Sequence, residues 1–164
     1  MEMKTISTFI ILVLAVALPF ILLHLWNRSK ERRIIRELSG MSGHKRIDFL
    51  NHDHWRNSYA IATDKDTDNI YYLNRKKGQR YLIGIKDVET ARVVTTSRSV
   101  KTESGMNNVV EKLALVLTFR NKEIPERELE FYDGEEFMTV DGEIPLVEKW
   151  EEIINSAVRP KKRA

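Results

Sequence analysis

Apolar positions follow three different spacings along the chain: an unbroken run, then alternation with a period of two, then a stripe with a helical period. The run is Ile6 to Trp26, 21 residues dominated by Ile, Leu, Val and Phe, interrupted by Ser7, Thr8, Pro19 and His24. No charged side chain occurs between Lys4 and Arg28. A helix of this length rises about 30 Å, the thickness of a bilayer's hydrocarbon core. Its fourteen Leu, Ile, Phe and Val residues each favour insertion by about 0.3 to 0.6 kcal/mol near the centre of the bilayer and outweigh the polar exceptions. The pattern predicts a transmembrane helix over residues 6–26, preceded by a short extracytoplasmic N-terminus at 1–5. Trp26 falls where an interfacial ring is favoured, and His24 beside it is expected to reach the headgroups. Ala15-Val16-Ala17 has the small residues a signal peptidase uses, but the apolar run continues through Leu25, longer than a cleaved segment needs, so a retained signal-anchor is expected.

The flanking charge sets an expected orientation. Only Glu2 and Lys4 precede the run, whereas Arg28, Lys30, Arg32, Arg33 and Arg36 follow it. Basic residues are retained on the cytoplasmic side, so the N-terminus is expected outside, the rest in the cytoplasm, and the protein in the inner membrane as a single-pass protein. The same five cations would meet anionic lipid headgroups. Ile34, Ile35 and Leu38 fall at helical spacing, which predicts a basic amphipathic helix ended by Ser39-Gly40. Met41 to Ser58 reads as a connector with few apolar positions, so residues 27–58 are expected to form a juxtamembrane helix and linker.

From Tyr59 the pattern becomes that of strands. "YAIATDKDTDNIYYLN" places β-branched and aromatic residues on either side of a polar turn, a hairpin signature. "RKKGQ" is a second turn leading into "YLIGI", and "VETARVVTT" is rich in β-branched residues. In "KLALVLTF", Leu113, Leu115, Leu117 and Phe119 alternate onto one face. In "RELEFY", Leu129 and Phe131 are expected inward and Glu128 and Glu130 outward. After Gly142 the period becomes helical: Leu146, Val147, Trp150, Ile153, Ile154 and Ala157 form one apolar stripe, with Pro145 in the first turn and Pro160 after the end. The expected fold class is therefore a transmembrane helix plus an α+β, mainly β, domain over 59–158. In that domain a curved antiparallel sheet, or partly open barrel, is capped by one C-terminal amphipathic helix. A basic tail, 159–164, follows.

Charge is segregated along the chain. Residues Arg28 to Arg46 carry seven basic and two acidic side chains, and Arg159 to Arg163 four basic ones. Ile47 to Val158 carries 15 basic and 21 acidic residues, a net of −6, which argues against nucleic acid as a partner of the domain. Cysteine is absent, which excludes disulfides, thiolate metal sites and a cysteine nucleophile.

The hairpin "AIATD…NIYYL", the strands "LALVLTF" and "LEFY", and the closing helix "PLVEKWEEIINSAV" together resemble the bacterial pleckstrin-homology-like domain family over Tyr59 to Val158. The resemblance implies a binding fold with Trp150 in its core. Lipid-binding members of the wider pleckstrin family hold phosphoinositide phosphates with basic residues in and beside the first hairpin loop. Here that loop, "DKDTDN", has three aspartates and one lysine, so the lipid site does not carry over. The next loop, with Arg75, Lys76, Lys77 and Arg80, is basic and reads as a solvated hairpin turn.

Two sequences imitate metal sites. Asp64, Asp66 and Asp68 have the spacing of the first ligands of a calcium loop, but Asn69 replaces the required glycine and Arg75 the bidentate glutamate. His52, Asp53 and His54 supply ligand types without further ligands nearby. No nucleophile elbow, Gly-rich phosphate loop or Glu/His helix pair is present. The expected function is a non-catalytic, membrane-anchored cytoplasmic binding or scaffolding module without a cofactor. Its partners would be lipid, through the anchor, and another protein. Two alternatives are a small subunit of an envelope, secretion or transfer complex, and a metal-dependent hydrolase centred on His52 and His54.

Overall fold

The structure is a computed structural model that describes residues 17–18, 33–41, 43, 47–65, 68–102 and 105–159. It divides into two units, Met1–Arg46 and Ile47–Ala164, each described by itself.

In the first unit, residues 33–40 form helix α1. Ile34 and Leu38 are buried, Arg33 and Arg36 are exposed, and the Met41 N–H donates to the Leu38 carbonyl at 3.0 Å. Among the described residues, no helix is long and apolar enough to cross a membrane. The described residues of α1 include Arg33, Arg36 and Glu37, charges that are costly inside a bilayer's hydrocarbon core. The expected transmembrane helix over 6–26 lies outside the described residues except for Ala17 and Leu18, which are helical. The fold class with a membrane-spanning helix, and the single-pass inner-membrane placement drawn from it, are therefore corrected. What is described is a mainly β protein. Arg28, Lys30 and Arg32, assigned to lipid headgroups and topology, also lie outside the described residues.

Among the described residues of the second unit there are seven strands. β1 (Phe49–Trp55), β2 (Tyr59–Asp64), β3 (Asn69–Asn74) and β4 (Gln79–Gly84) form one antiparallel sheet in sequence order. β5 (Val88–Thr102), β6 (Gly105–Phe119) and β7 (Arg127–Asp133) form a second, also antiparallel and in sequence order. A single curved sheet or partly open barrel was expected. Instead the chain leaves β4 through a 3₁₀ turn, Ile85–Asp87, and begins a new sheet rather than extending the first. Helix α2 (Glu143–Val158) follows β7.

β1 lies within the stretch, Met41 to Ser58, read as a connector. Its burial alternates, with Phe49, Asn51, Asp53 and Trp55 half-buried and Leu50, His52 and His54 exposed. Half of its inward positions are polar, which hid the strand from a hydrophobic pattern. Ile61 and Tyr72 of the first sheet, Leu115 and Phe131 of the second, and Val147, Trp150 and Ile154 of α2 share one core. Of the expected helix stripe, Leu146 and Ile153 are partly buried against that core, and Ala157 is exposed.

Candidate interaction surface

The His-Asp-His sequence is split by the strand that carries it. His52 and His54 lie on the exposed face of β1, and Asp53 turns to the other. There its Oδ2 accepts from Lys149 Nζ at 2.6 Å and from Trp150 Nε1 at 2.8 Å, fastening α2 to β1. Among the described residues no group of three His, Asp or Glu is placed to hold a metal ion. Asp64 is likewise structural: it is buried and accepts from the Tyr71 hydroxyl at 2.9 Å.

The basic loop after β3 is engaged by carboxylates. Lys77 Nζ reaches Glu130 Oε2 at 2.7 Å and Asp133 Oδ2 at 2.6 Å, and Lys76 Nζ lies 3.2 Å from Glu136 Oε2. Burial pulls the Lys77 ammonium down, but the two carboxylates outweigh it and hold it above the usual lysine range. The hydrogen bond from Lys77 holds the Asp133 carboxyl below its ordinary value.

Glu130, expected outward, is buried at 5 % exposure. The register of β6 and β7 shifts between Leu113 and Ala114. On the face of β7 opposite Leu129, the first sheet covers Glu130. Its Oε1 accepts from the Tyr59 hydroxyl at 3.0 Å and from Asn74 Nδ2 at 3.2 Å, while its carbonyl accepts from the Tyr72 hydroxyl at 2.7 Å. Burial pushes the Tyr59 and Tyr72 phenols well above the ordinary tyrosine value, with the Glu130 charge adding to it. At the same junction Trp55 stacks on Tyr59 and on Phe131 with centroids 5.2 and 4.6 Å apart, and its Nε1 donates to the Phe131 carbonyl at 2.8 Å.

Arg56 closes the far end of this seam. It pairs with Glu143 in the first turn of α2 and donates to the Thr139 carbonyl at 2.7 Å. Burial raises the Glu143 carboxyl, but the Arg56 hydrogen bond and backbone N–H groups of Asp141 and Glu143 itself prevail and hold it below its usual value.

α2 also governs the outer edge of β5. The Asn155 carboxamide accepts from the Ala91 N–H at 2.9 Å and donates to the Ala91 carbonyl at 2.8 Å, and Glu151 Oε1 accepts from the Val93 N–H at 3.1 Å. These side chains occupy the edge where a neighbouring strand would pair, so β5 is closed to strand addition at this level.

Farther along, β5 and β6 outrun the rest of the sheet. β7 pairs with β6 only from Lys112 onward, and the Gly134 N–H donates to the Glu111 carbonyl at 2.7 Å. Beyond that point the register Ser97↔Val110 to Thr102↔Gly105 defines a two-stranded ribbon about 20 Å long at the usual strand rise. Met106 is 73 % exposed and Val109 40 %. Arg98 pairs with Glu111 across the ribbon's base at 3.2 Å, both side chains largely in solvent. A cavity of about 550 Å³ lies at the same base, lined by Thr96, Arg98, Val109, Lys112, Tyr132 and Met138 among others.

No family model matches the chain, and neither a curated protein nor a solved structure matches it.

The described side chains thus divide by role. Asp53, Asp64, Lys76 and Lys77, singled out in the sequence, hold parts of the fold together, whereas the ribbon presents polar and apolar groups outward. No motif marked the ribbon in the sequence. Its only signal was the length of the two β-rich stretches around residues 103–104.

Proposed function

We propose that the chain is a non-catalytic binding module whose partner surface is the ribbon formed by the ends of β5 and β6. The observation that carries this reading is the projection of these two strands past the end of β7, with Met106 and Val109 exposed on them. Seven antiparallel strands followed by one helix support the pleckstrin-like resemblance, and with it a binding role. The engagement of Asp53, Glu130, Glu143 and Lys77 in structural pairs leaves these groups holding the fold, a role distinct from chemistry on a substrate.

Site-specific photo-crosslinking in cells that express the protein tests the reading. A photoreactive residue at Val100 or Val109 is expected to give discrete protein adducts, and one at Glu123, in the turn before β7, is expected to give none. Equal labelling from all three positions, or no adduct from the ribbon, overturns it.

A further inference from the structure

We infer that the outer edge of β5 from Thr95 to Lys101 accepts an acidic, extended segment of another protein as an added strand. This rests on the reading of the ribbon as the partner surface and names what the partner brings to it.

α2 identifies which backbone groups of β5 point outward, because Asn155 satisfies the N–H and C=O of Ala91 and Glu151 the N–H of Val93. In a strand the outward groups recur at every second residue. The irregularity at the base of the ribbon pairs Thr96 with Lys112 and Ser97 with Val110, so the extra residue is Glu111 on β6, and the alternation along β5 continues undisturbed. Thr95, Ser97, Ser99 and Lys101 therefore present N–H and C=O groups to the same side as Ala91 and Val93. Among the described residues no strand lies along that side. A carboxamide and a carboxylate already fill the first two positions, and a peptide backbone offers equivalent groups for the next four.

Charge selects the segment. From Thr90 to Lys101 the strand carries Arg92, Arg98 and Lys101 and no acidic residue, although the stretch from Ile47 to Val158 has a net charge of −6. Carboxylates on an added strand would meet Arg98 and Lys101 as cross-strand neighbours, which stabilises strand pairing. A second copy of this chain, paired antiparallel through β5, would set this cationic strand against itself, and like charges placed opposite each other destabilise the pair. Arg98 can be recruited readily, since its pair with Glu111 is exposed at both ends and such pairs contribute little. The Ser and Thr residues between the cations are short and leave the backbone edge open to approach.

The test is residue-resolved amide hydrogen exchange on the full chain with blocked peptides of about ten residues, long enough to cover this edge. One peptide repeats Thr-Thr-Glu-Glu, which puts Glu on both faces of the strand, where Arg98 and Lys101 stand, and the other repeats Thr-Thr-Lys-Lys. The Thr-Glu peptide is expected to slow exchange at Thr95, Ser97, Ser99 and Lys101 several-fold, and the Thr-Lys peptide to leave it unchanged. Arg98→Glu combined with Lys101→Glu should reverse the preference, and N-methylation along the facing edge of the Thr-Glu peptide should abolish its effect. Equal protection by both peptides, or protection by neither, overturns the inference. So does protection by phosphatidylserine vesicles in place of the peptide, or protection that appears only as the protein dimerises. Ribbon crosslinks without peptide protection would leave the partner surface standing and remove only the acidic strand. Peptide protection without ribbon crosslinks would instead remove the surface as the one used in cells.

Discussion

Asn155 meets Ala91 as a strand would, accepting from its N–H at 2.9 Å and donating to its C=O at 2.8 Å. A helix side chain thereby terminates a sheet edge and docks α2 at the same time. Asn155→Leu removes both bonds and leaves two backbone groups in a partly buried place without partners, where an unsatisfied polar group costs about 1 to 3 kcal/mol. The variant is expected to unfold at lower urea with an unchanged m-value. Asn155→Asp keeps the acceptor and loses the donor, so its midpoint should fall between Asn155→Leu and the parent.

Asp53, rather than its histidine neighbours, governs stability in the His-Asp-His sequence. Asp53→Ala deprives the buried Trp150 Nε1–H of its acceptor and Lys149 of its partner. A loss of about 1 to 3 kcal/mol is expected. His54→Ala, on the exposed face of β1, should stay within about 0.5 kcal/mol of the parent. Chemical denaturation of the two variants side by side checks both values, and a large effect at His54 with none at Asp53 would contradict the strand's assigned facing.

Glu143 and Asp133 set the acid limb of stability. Both carboxyls are held below their ordinary values in the fold, through Arg56 and backbone N–H groups for Glu143 and through Lys77 for Asp133. Their contribution is complete above the ordinary carboxylate pKa of about 4 and is lost as the pH falls through their lower folded values. Urea midpoints measured from neutral pH downward should therefore decline below about pH 4 to 5. Glu143→Gln should be less stable than the parent at neutral pH and should lose less on acidification.

The legible and illegible parts of the fold differ in what covers each strand. Leu113, Leu115, Leu117 and Phe119 alternate because one face of β6 meets the core, and all four are buried as that spacing implies. Val147, Trp150 and Ile154 are buried in α2 for the same reason, at the helical period. β1 fails the pattern because Asn51 and Asp53 stand on its inward face, where their partners are a threonine on β2 and the side chains of α2. Glu130 fails it because Tyr59, Asn74 and Lys77 cover it where solvent was expected. The boundary between the two sheets was invisible, since the 3₁₀ turn Ile85–Asp87 has no composition that distinguishes it from a strand end. The ribbon was hidden because where β7 stops pairing is a long-range fact that neither β5 nor β6 encodes alone.

Glu130 is the point where the two sheets exchange polar contacts, and its replacement should show whether they are coupled there. Glu130→Ala strips the acceptor from Tyr59 and Asn74 and leaves Lys77 with Asp133 alone. Breaking a buried ion pair from one side costs about 3 to 5 kcal/mol, and the 35 % exposure of the Lys77 side chain places this case at or below the lower end. Glu130→Gln retains a carbonyl acceptor for Tyr59 and Asn74 but loses the charge facing Lys77, and should cost less than the alanine variant. Tyr59→Phe removes the hydroxyl from the same oxygen. A double-mutant cycle between Tyr59→Phe and Glu130→Ala is expected to give a coupling energy of about 0.5 to 3 kcal/mol, as contacting residues in one network do. Additive losses would mean that the hydroxyl finds another acceptor once Glu130 is gone. The nearest candidate is Glu136, whose Oε2 lies 3.4 Å from the Tyr59 hydroxyl in the intact fold. Adding Glu136→Ala to the cycle separates these outcomes, because coupling restored in that background would locate the substitute acceptor.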